Sequence, residues 1–156
     1  MKNSEVAQVF QDIADLLELK GETPFKVRAY QKAVRSVEHL PVELDQLTTE
    51  GKLREVPGIG DAIEKKIVEL LTTGRLKYYE DLRAEFPEGI VSLLQVPGIG
   101  PKTAMRLSTE LGISSSEELE AAIVDGRAVG LARLGEKTVE NILRHLQSMR
   151  SKEQRI

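Results

Sequence analysis

The sequence contains no cysteine and no tryptophan, and it has only three phenylalanines and three tyrosines. Without cysteine the chain has neither disulfides nor a thiolate metal site, and its two histidines are too few for a zinc centre. The scarcity of aromatic rings argues against a stacking platform for single-stranded nucleic acid. No apolar run reaches membrane-spanning length, and the N-terminus lacks the apolar segment of a signal peptide. We therefore expect a cytoplasmic protein that makes no membrane contact.

Charged residues are distributed unevenly along the chain. The net charge of −3 is unfavourable for binding a polyanion, but the distribution matters more than the sum. Residues 1–25 are predominantly acidic, whereas residues 26–37 contain no acid and four basic residues, Lys26, Arg28, Lys32 and Arg35. This pattern predicts a positive patch on an acidic background. A mixed, solvated surface is the alternative interpretation.

Apolar residues recur at helical spacing, and no segment shows the alternation of a β-strand. The first helix is predicted to begin at Asn3 or Ser4 as N-cap and to end at Gly21. Its apolar stripe consists of Val6, Phe10, Ile13 and Leu17. The chain is therefore predicted to be all-α, a small helical bundle followed by a second helical subdomain. The boundary between the two is expected near residues 87–89.

A second helix is predicted over residues 24–38, and its two faces differ in polarity. The inward face is expected to hold Phe25, Ala29, Ala33 and Val37. The outer face is expected to hold the basic residues spaced i, i+4 and i+7, which are Arg28, Lys32 and Arg35. Further helices are predicted over residues 42–47, 61–72, 78–84, 101–111, from about 115 to 124 and from 133 to 149. A frayed tail is expected after residue 149.

The pentapeptide Val-Pro-Gly-Ile-Gly occurs twice, at residues 56–60 and 96–100, and a predicted helix follows each copy. Gly58 and Gly98 can adopt positive φ without steric cost. Gly60 and Gly100 allow a ligand to approach the backbone closely. The first N–H groups of the following helix are then available to an anion such as phosphate, and Lys102 adds a charge at the second copy.

These contacts ignore base identity, so they predict DNA binding that is independent of sequence and sensitive to salt. Two copies in one short chain favour two contacts with the same polyanion. The alternative is a joint between helices whose glycines serve only packing. A dinucleotide site is disfavoured because the third glycine and a preceding strand are both absent.

The repeated turn resembles the helix-hairpin-helix family of DNA-binding motifs, which has the form apolar-x-Gly-apolar-Gly followed by a helix. A third, degenerate copy at residues 132–142 keeps only the second glycine. The resemblance implies that turn carbonyls hold a monovalent cation that bridges to a DNA phosphate. The matching carbonyls are those of Arg54, Val56 and Ile59 in the first copy, and of Leu94, Val96 and Ile99 in the second.

The whole chain resembles the N-terminal part of a family X DNA polymerase, the polymerase-beta-like kind found in bacteria and archaea. The matching segments are FKVRAYQKA at 25–33, EKKI at 64–67, TGRL at 73–76, GIGPK at 98–102 and LGEKT at 134–138. The resemblance implies a lyase-like helical domain at residues 1–86 and a fingers-like subdomain at residues 88–150, with a tail at 151–156. It also implies a role in DNA repair on gapped or nicked duplex DNA.

The lyase domain of that family removes a 5′-deoxyribose phosphate through a lysine Schiff base, and the matching position is Lys66. Crowding by the neighbouring Lys65 would favour a neutral amine there. The family's 5′-phosphate pocket carries over to Lys26, Tyr30 and Arg54. Two further basic positions of the family are occupied by Ala62 and Tyr78 here, which leaves open whether the lyase is active or only the phosphate-binding role remains.

The polymerase reaction requires paired carboxylates that hold two Mg²⁺ ions, and none of the six aspartates forms an Asp-x-Asp motif. We expect no cofactor in this chain other than the hairpin cation, since Mg²⁺ would belong to a palm domain. The expected partner is DNA and the expected state is a monomer. Three functions stay open, namely the DNA-binding part of a repair polymerase, a lyase in its own right, and a stand-alone helix-hairpin-helix protein that binds DNA or mediates interactions.

Overall fold

The computed structural model describes residues 1–127 and 136–154, and it divides into two compact units, Met1–Arg83 and Ala84–Ile156. Throughout the described residues the secondary structure is helical, without a strand, so the predicted all-α class is confirmed. The first unit contains α1 (Asn3–Lys20), α2 (Pro24–Glu38), α3 (Leu44–Thr49), a 3-10 helix (Leu53–Glu55), α4 (Asp61–Thr73) and α5 (Lys77–Ala84, which ends just past the boundary). The second contains α6 (Ile90–Leu94), α7 (Pro101–Leu111), α8 (Ser116–Val124) and α9 (Glu136–Gln154).

The core of the first unit is built on α1 and α2, which contact each other more extensively than any other pair of helices there. All four residues of the predicted α1 stripe are fully buried or nearly so. Burying an aliphatic or aromatic side chain of this size stabilises a fold by about 1.5–3 kcal/mol. The stripe on α1 is therefore a main source of stability for this unit.

The predicted cap of α1 is wrong, because Asn3 is the first residue of the helix and Lys2 occupies the N-cap position. The Asn3 side chain is used elsewhere. Its amide donates to the carbonyl of Val42 at 2.9 Å, and its oxygen accepts from the amide of Leu44 at 2.9 Å. Asn3 thereby fixes the start of α3 against the start of α1.

The predicted inner face of α2 is partly wrong. Phe25 is 80% exposed and Ala29 is also exposed, whereas Ala33 and Val37 are buried as predicted. The buried stripe is completed by Val27, Tyr30 and Val34. Each residue advances about 100° around a helix, so Phe25 and Ala29 lie outside the side of α2 that this buried stripe occupies. The three basic residues of the outer face are exposed, as predicted.

A buried carboxylate connects α1 to α5. Among the described residues, Asp12 is the charged residue that is buried. It accepts hydrogen bonds from Tyr79 Oη at 3.0 Å and from Gln8 Nε2 at 2.9 Å. Burial raises the pKa of the Asp12 carboxyl, and the two hydrogen bonds and Arg83 oppose the change. Burial and Asp12 raise the pKa of Tyr79 to about 12, so its hydroxyl remains a donor at neutral pH.

In the second unit α8 begins as predicted, since Ser115 is its N-cap and accepts from the amide of Glu118 at 3.1 Å. The last helix continues to Gln154. The predicted frayed tail after residue 149 is therefore wrong for residues 150–154, which are helical. The predicted start of this helix at residues 133–135 lies outside the described residues. None of the described helices is long and apolar enough to cross a membrane.

Candidate nucleic-acid interface

The first Val-Pro-Gly-Ile-Gly copy forms a tight turn between the 3-10 helix and α4. The amide of Ile59 donates to the carbonyl of Val56 at 3.0 Å, and Gly58 lies at φ +93°. An ordinary side chain is strained at that φ, so this position requires glycine. The buried side chain of Ile59 anchors the turn in the core, and Gly60 becomes the N-cap of α4.

The second copy adopts the same backbone conformation between α6 and α7. The amide of Ile99 donates to the carbonyl of Val96 at 3.1 Å, and Gly98 lies at φ +92°. Gly100 is the N-cap of α7, as Gly60 is of α4. The positive φ predicted for the first glycine of each copy is therefore confirmed. Of the third, degenerate copy, the glycine at 135 lies outside the described residues, while residues 136–142 belong to α9.

The second glycine of each copy is required by neither conformation nor packing. Gly60 has φ −94° and Gly100 has φ −87°, values that other residues adopt freely. A Cβ atom added to either residue would meet nothing within 4 Å. Both positions are exposed. The two glycines therefore leave an open surface over the backbone, which is the property that close approach of a ligand requires.

Each of these glycines is followed by helix amides that have no partner. Within the part of the chain that the structure describes, no side chain caps α4 or α7. The first helical hydrogen bonds run from Glu64 N to Gly60 O and from Ala104 N to Gly100 O, each 2.9 Å long. The preceding amides thus point out of the helix end, where they can donate to an anion. They number three in α4, but in α7 only Lys102 and Thr103 supply one, because Pro101 has no N–H.

The two helix starts differ in charge. The first turn of α4 contains Asp61 and Glu64, and Asp61 forms an ion pair with Lys65 at 3.4 Å. The first turn of α7 contains no acid, and its second residue is the exposed Lys102. Because an acid in the first turn repels an approaching phosphate, the charge at the second helix start is the more favourable to an anion, while the first helix start offers one more free amide.

The first turn lies against α2. Ser36 Oγ donates to the carbonyl of Pro57 at 2.5 Å. A Cβ atom on Gly58 would lie 2.8 Å from Ser36 Oγ and 3.2 Å from Lys32 Cγ, so the alkyl chain of Lys32 covers the turn. The second turn lies instead against α9, where the same added atom on Gly98 would be 3.3 Å from Ile142 Cγ1. Sequence reasoning placed Lys32 on the outer face of α2 but missed its contact with the first turn. Each turn together with the helices on its two sides is called a hairpin below, the first at residues 53–73 and the second at residues 90–111.

Lys66 on α4 lies beside a row of aromatic rings. Its Nζ atom is 4.7 Å from the centroid of the Tyr78 ring, which is within cation–π distance. The Tyr78 ring stacks on Tyr30 at 6.2 Å with an interplanar angle of 8°, and Tyr30 contacts Phe10 at 6.0 Å. Tyr30 is only 6% exposed, and burial raises the pKa of its hydroxyl. The lysine is thus held at the edge of the core rather than free in solvent.

Partial burial lowers the pKa of the Lys66 amine, and the nearby charge of Lys26 lowers it further, while Glu69 opposes the change. The structure therefore brings Lys26 and Lys66 together electrostatically, although Lys26 also forms an ion pair with Glu22 at 3.9 Å. Arg54 is exposed on the 3-10 helix, and Lys65 is exposed and paired with Asp61. No contact among the described residues joins either of these two to Lys66.

Tyr78 is the residue of this site whose role sequence reasoning missed. From the sequence alone, its position is only a departure from the basic residue of the resembled family. The sequence contained one usable signal, since an aromatic residue replaces a cation there and can hold a lysine through its ring. No cluster of three or more His, Cys, Asp or Glu side chains that could hold a metal ion occurs in residues 1–127 and 136–154.

Comparison with known proteins agrees with the hairpin geometry. Residues 1–76 match a family described as helix-hairpin-helix domain, and residues 90–148 match one described as SAM-like helix-hairpin-helix tandem. The chain is 35% identical over 94% of its length to DNA polymerase/3′-5′ exonuclease PolX of Bacillus subtilis (strain 168), of which it covers 25%. It is 29% identical over 83% of its length to DNA polymerase lambda of Arabidopsis thaliana, of which it covers 24%. The chain thus spans about a quarter of the length of these relatives.

Proposed function

We propose that this chain, a helix-hairpin-helix protein that matches the N-terminal region of family X DNA polymerases, binds gapped or nicked duplex DNA without reading base sequence. In this proposal it is the DNA-binding part of a repair polymerase whose catalytic carboxylates lie outside these residues. The observation that carries the proposal is that the two turns have the same backbone conformation. Gly58 and Gly98 have φ values of +93° and +92°, and the second glycine of each turn leaves open space over the backbone.

The two hairpins hold opposite sides of the break in this proposal. The first hairpin lies in the unit that also contains Lys66, Lys26 and the aromatic row, so we assign it to the 5′ side. The second hairpin has Lys102 and an acid-free helix start, and we assign it to the primer-side duplex. Contacts of this kind go to phosphate oxygens, which fix position on the duplex without sequence information.

The 5′-phosphate is bound in this proposal beside α2 and α4, with different roles for the three predicted residues. Lys26 and Arg54 are exposed cations that supply charge. Tyr30 is too buried to present its ring to a ligand, so it acts by stacking under Tyr78 and holding that ring in place. Tyr78 in turn positions the Lys66 ammonium at the edge of the site.

A monovalent cation at each hairpin completes the proposed backbone contact. The carbonyls of Val56 and Val96 each accept one turn hydrogen bond and retain a second lone pair. The carbonyls of Arg54 and Ile59, and likewise of Leu94 and Ile99, accept no backbone hydrogen bond from the described residues. Oxygen ligands with free lone pairs fit a hard cation, which would add a positive charge next to a DNA phosphate.

The test is a titration of gapped and intact duplexes by fluorescence anisotropy at two salt concentrations. We expect binding that weakens steeply with salt, is equal for scrambled base sequences and is tighter for the gap carrying a 5′-phosphate. Exchange of K⁺ for tetramethylammonium at constant ionic strength should weaken it if the hairpin cation contributes. No binding at low salt would contradict the proposal and would favour a protein-interaction domain.

A second candidate function is a 5′-deoxyribose-phosphate lyase, and the lowered pKa of Lys66 favours it. The neutral amine attacks the C1′ aldehyde, and loss of water leaves an imine. A base then removes a C2′ proton, a C2′–C3′ double bond forms, and the C3′–O bond breaks with its electron pair on the oxygen, which stays with the phosphate at the 5′ end of the downstream strand. Water then hydrolyses the imine, which releases the unsaturated sugar and restores the Lys66 amine. Glu69 is the carboxylate that acts electrostatically on Lys66, so it is the first candidate for the base.

Borohydride trapping on a nick with a 5′-deoxyribose phosphate tests this second function. Covalent capture that disappears in Lys66→Ala but persists in Lys65→Ala would establish the lyase, because Lys65 is adjacent in sequence but points to Asp61. If the native chain binds this DNA but is not captured, the lyase function is ruled out and only the binding function remains.

A further inference from the structure

The exposed face of α2 carries Arg28, Lys32 and Arg35 in one row. Four other cations of the first unit form ion pairs, Lys26 with Glu22, Lys52 with Glu50, Lys65 with Asp61 and Arg75 with Glu80. The three side chains of the row have no ion pair or hydrogen bond within residues 1–127 and 136–154. Exposed like charges on one helix face repel one another, so folding alone does not explain the row.

The row is continuous with the first hairpin. The alkyl chain of Lys32 lies against Gly58, and Ser36 on the same helix holds the carbonyl of Pro57. Arg28 lies about one turn before Lys32 on α2, and Arg35 about one turn after it. The basic residues therefore flank the turn on both sides over a distance of about 10 Å, at 1.5 Å per residue.

The row is distinct from the site around Lys66. Tyr30, which stacks under Tyr78, precedes Lys32 by two residues, and two residues rotate about 200° around a helix axis. The row and the aromatic residues thus lie on opposite sides of α2. A ligand bound to the row does not occupy the 5′-phosphate position.

We propose that Arg28, Lys32 and Arg35 form a phosphate-binding row that extends the contact of the first hairpin along the sugar–phosphate backbone of duplex DNA. Three successive phosphates of one strand span about 7 Å of the DNA axis at a rise of about 3.4 Å per nucleotide, so three long cationic side chains over about 10 Å can each reach one phosphate. Residues 26–37 contain no acid to oppose a polyanion. The inference rests on the proposed DNA binding and adds a specific surface to it.

The test compares two variants of the full chain with equal net charge. In the row variant Arg28, Lys32 and Arg35 are each replaced by Gln, which keeps the alkyl contact of Lys32 with Gly58. In the control variant three exposed cations elsewhere that also form no ion pair within the described residues, Lys2, Lys137 and Arg144, are replaced by Gln. The probes are an intact labelled duplex and a gapped duplex with a 5′-phosphate, both titrated from about 50 to 200 mM salt.

We expect the row variant to lose about tenfold or more in affinity for both probes, and its slope of log K against log salt to fall by about 2 to 3. The control variant should change affinity by about twofold or less. Lys32→Gln alone should lower the slope by about 0.9, the value for one phosphate. Circular dichroism and melting temperature of each variant should match the native chain.

The row is refuted if its variant changes affinity and salt slope no more than the control while both are folded. In that case the proposed DNA binding by the hairpins still stands, provided that Gly60→Ala or Gly100→Ala weakens binding. If the native chain binds neither probe at low salt, the proposed function itself is overturned, and the row with it.

Discussion

Lys66 Nζ lies 4.7 Å from the centroid of the Tyr78 ring, so an aromatic residue rather than a second cation faces the lysine of α4. The two neighbours of this amine act in opposite directions. The ring attracts the ammonium form and favours protonation, whereas burial and Lys26 favour the neutral amine and lower its pKa. The protonation of Lys66 is thus balanced between Tyr78 and Lys26, and each can be removed separately.

Tyr78→Leu should move the pKa of Lys66 further down, because Leu keeps the apolar surroundings and removes the attraction of the ring. A cation–π contact contributes about 0.5–1 kcal/mol, so the rate of acylation of Lys66 at constant pH should rise about two- to fivefold. Lys26→Met should have the opposite effect. Mass spectrometry of a limited labelling reaction measures both, with the exposed Lys65 of the same molecule as internal reference. An unchanged ratio of Lys66 to Lys65 labelling in Tyr78→Leu would rule out the ring as a determinant.

The glycines of the turns should separate into two classes. Gly58→Ala and Gly98→Ala place a side chain at φ above +90°, which costs about 1–2 kcal/mol. Gly60→Ala and Gly100→Ala should change stability by less than about 0.5 kcal/mol, since their φ is ordinary and the space is open. The second pair should instead weaken DNA binding by restricting close approach. Denaturant unfolding and anisotropy on the same four variants measure the two effects, and a loss of stability in Gly60→Ala would contradict the assignment.

A double-mutant cycle tests the contact between the first turn and α2. Gly58→Ala should destabilise the chain more than Gly98→Ala, because its new Cβ would lie 2.8 Å from Ser36 Oγ in addition to the strain of φ. Removing that hydroxyl in Ser36→Ala costs about 1 kcal/mol through the lost bond to Pro57. In the Gly58→Ala background the cost should be smaller, because the clash is also relieved. Additive effects in denaturant unfolding would show that the two residues do not interact.

The local features of this chain could be predicted from the sequence better than the contacts that join distant segments. The positive φ of Gly58 and Gly98 was predictable, because a tight turn between apolar residues leaves few alternatives. The inner face of α2 was not, since both Phe25 and Val27 begin a plausible apolar stripe and only packing against α1 selects the one with Val27. The bond from Tyr79 to Asp12 joins residues 67 positions apart. Nothing in the spacing of either residue indicates such a contact.

Asp61 should weaken the first hairpin as a phosphate site. It is an exposed acid in the first turn of α4, where the corresponding position of α7 is Pro101. Asp61→Asn removes the negative charge and frees Lys65 from its ion pair, so DNA affinity at low salt should rise about two- to fivefold, equivalent to about 0.3–1 kcal/mol at a helix terminus. The gain should shrink at high salt. Glu110→Gln, an exposed acid near the end of α7, is the matched control for net charge. Equal gains in both variants would mean that only net charge matters.

Asp12 should make the stability of the first unit depend on pH. Burial raises its pKa above the value of 3.8 for an unperturbed carboxyl, so the folded state binds a proton that the unfolded state has released. The stabilisation from this proton is complete below the unfolded pKa and is lost as pH rises through the folded pKa. Asp12→Asn removes this dependence and can keep the hydrogen bond from Tyr79. Its stability relative to the native chain should therefore increase between pH 4 and pH 7.

Urea unfolding at the two pH values measures this difference, with the exposed Asp45→Asn as control. Tyr79→Phe provides the complementary test. The ionised carboxylate needs the donor more than the protonated form does, so this variant should lose about 1–3 kcal/mol at pH 7 and less at pH 4. If Asp12→Asn follows the native chain at both pH values, Asp12 ionises alike in the folded and unfolded states, and its burial has no consequence for the pH dependence of folding.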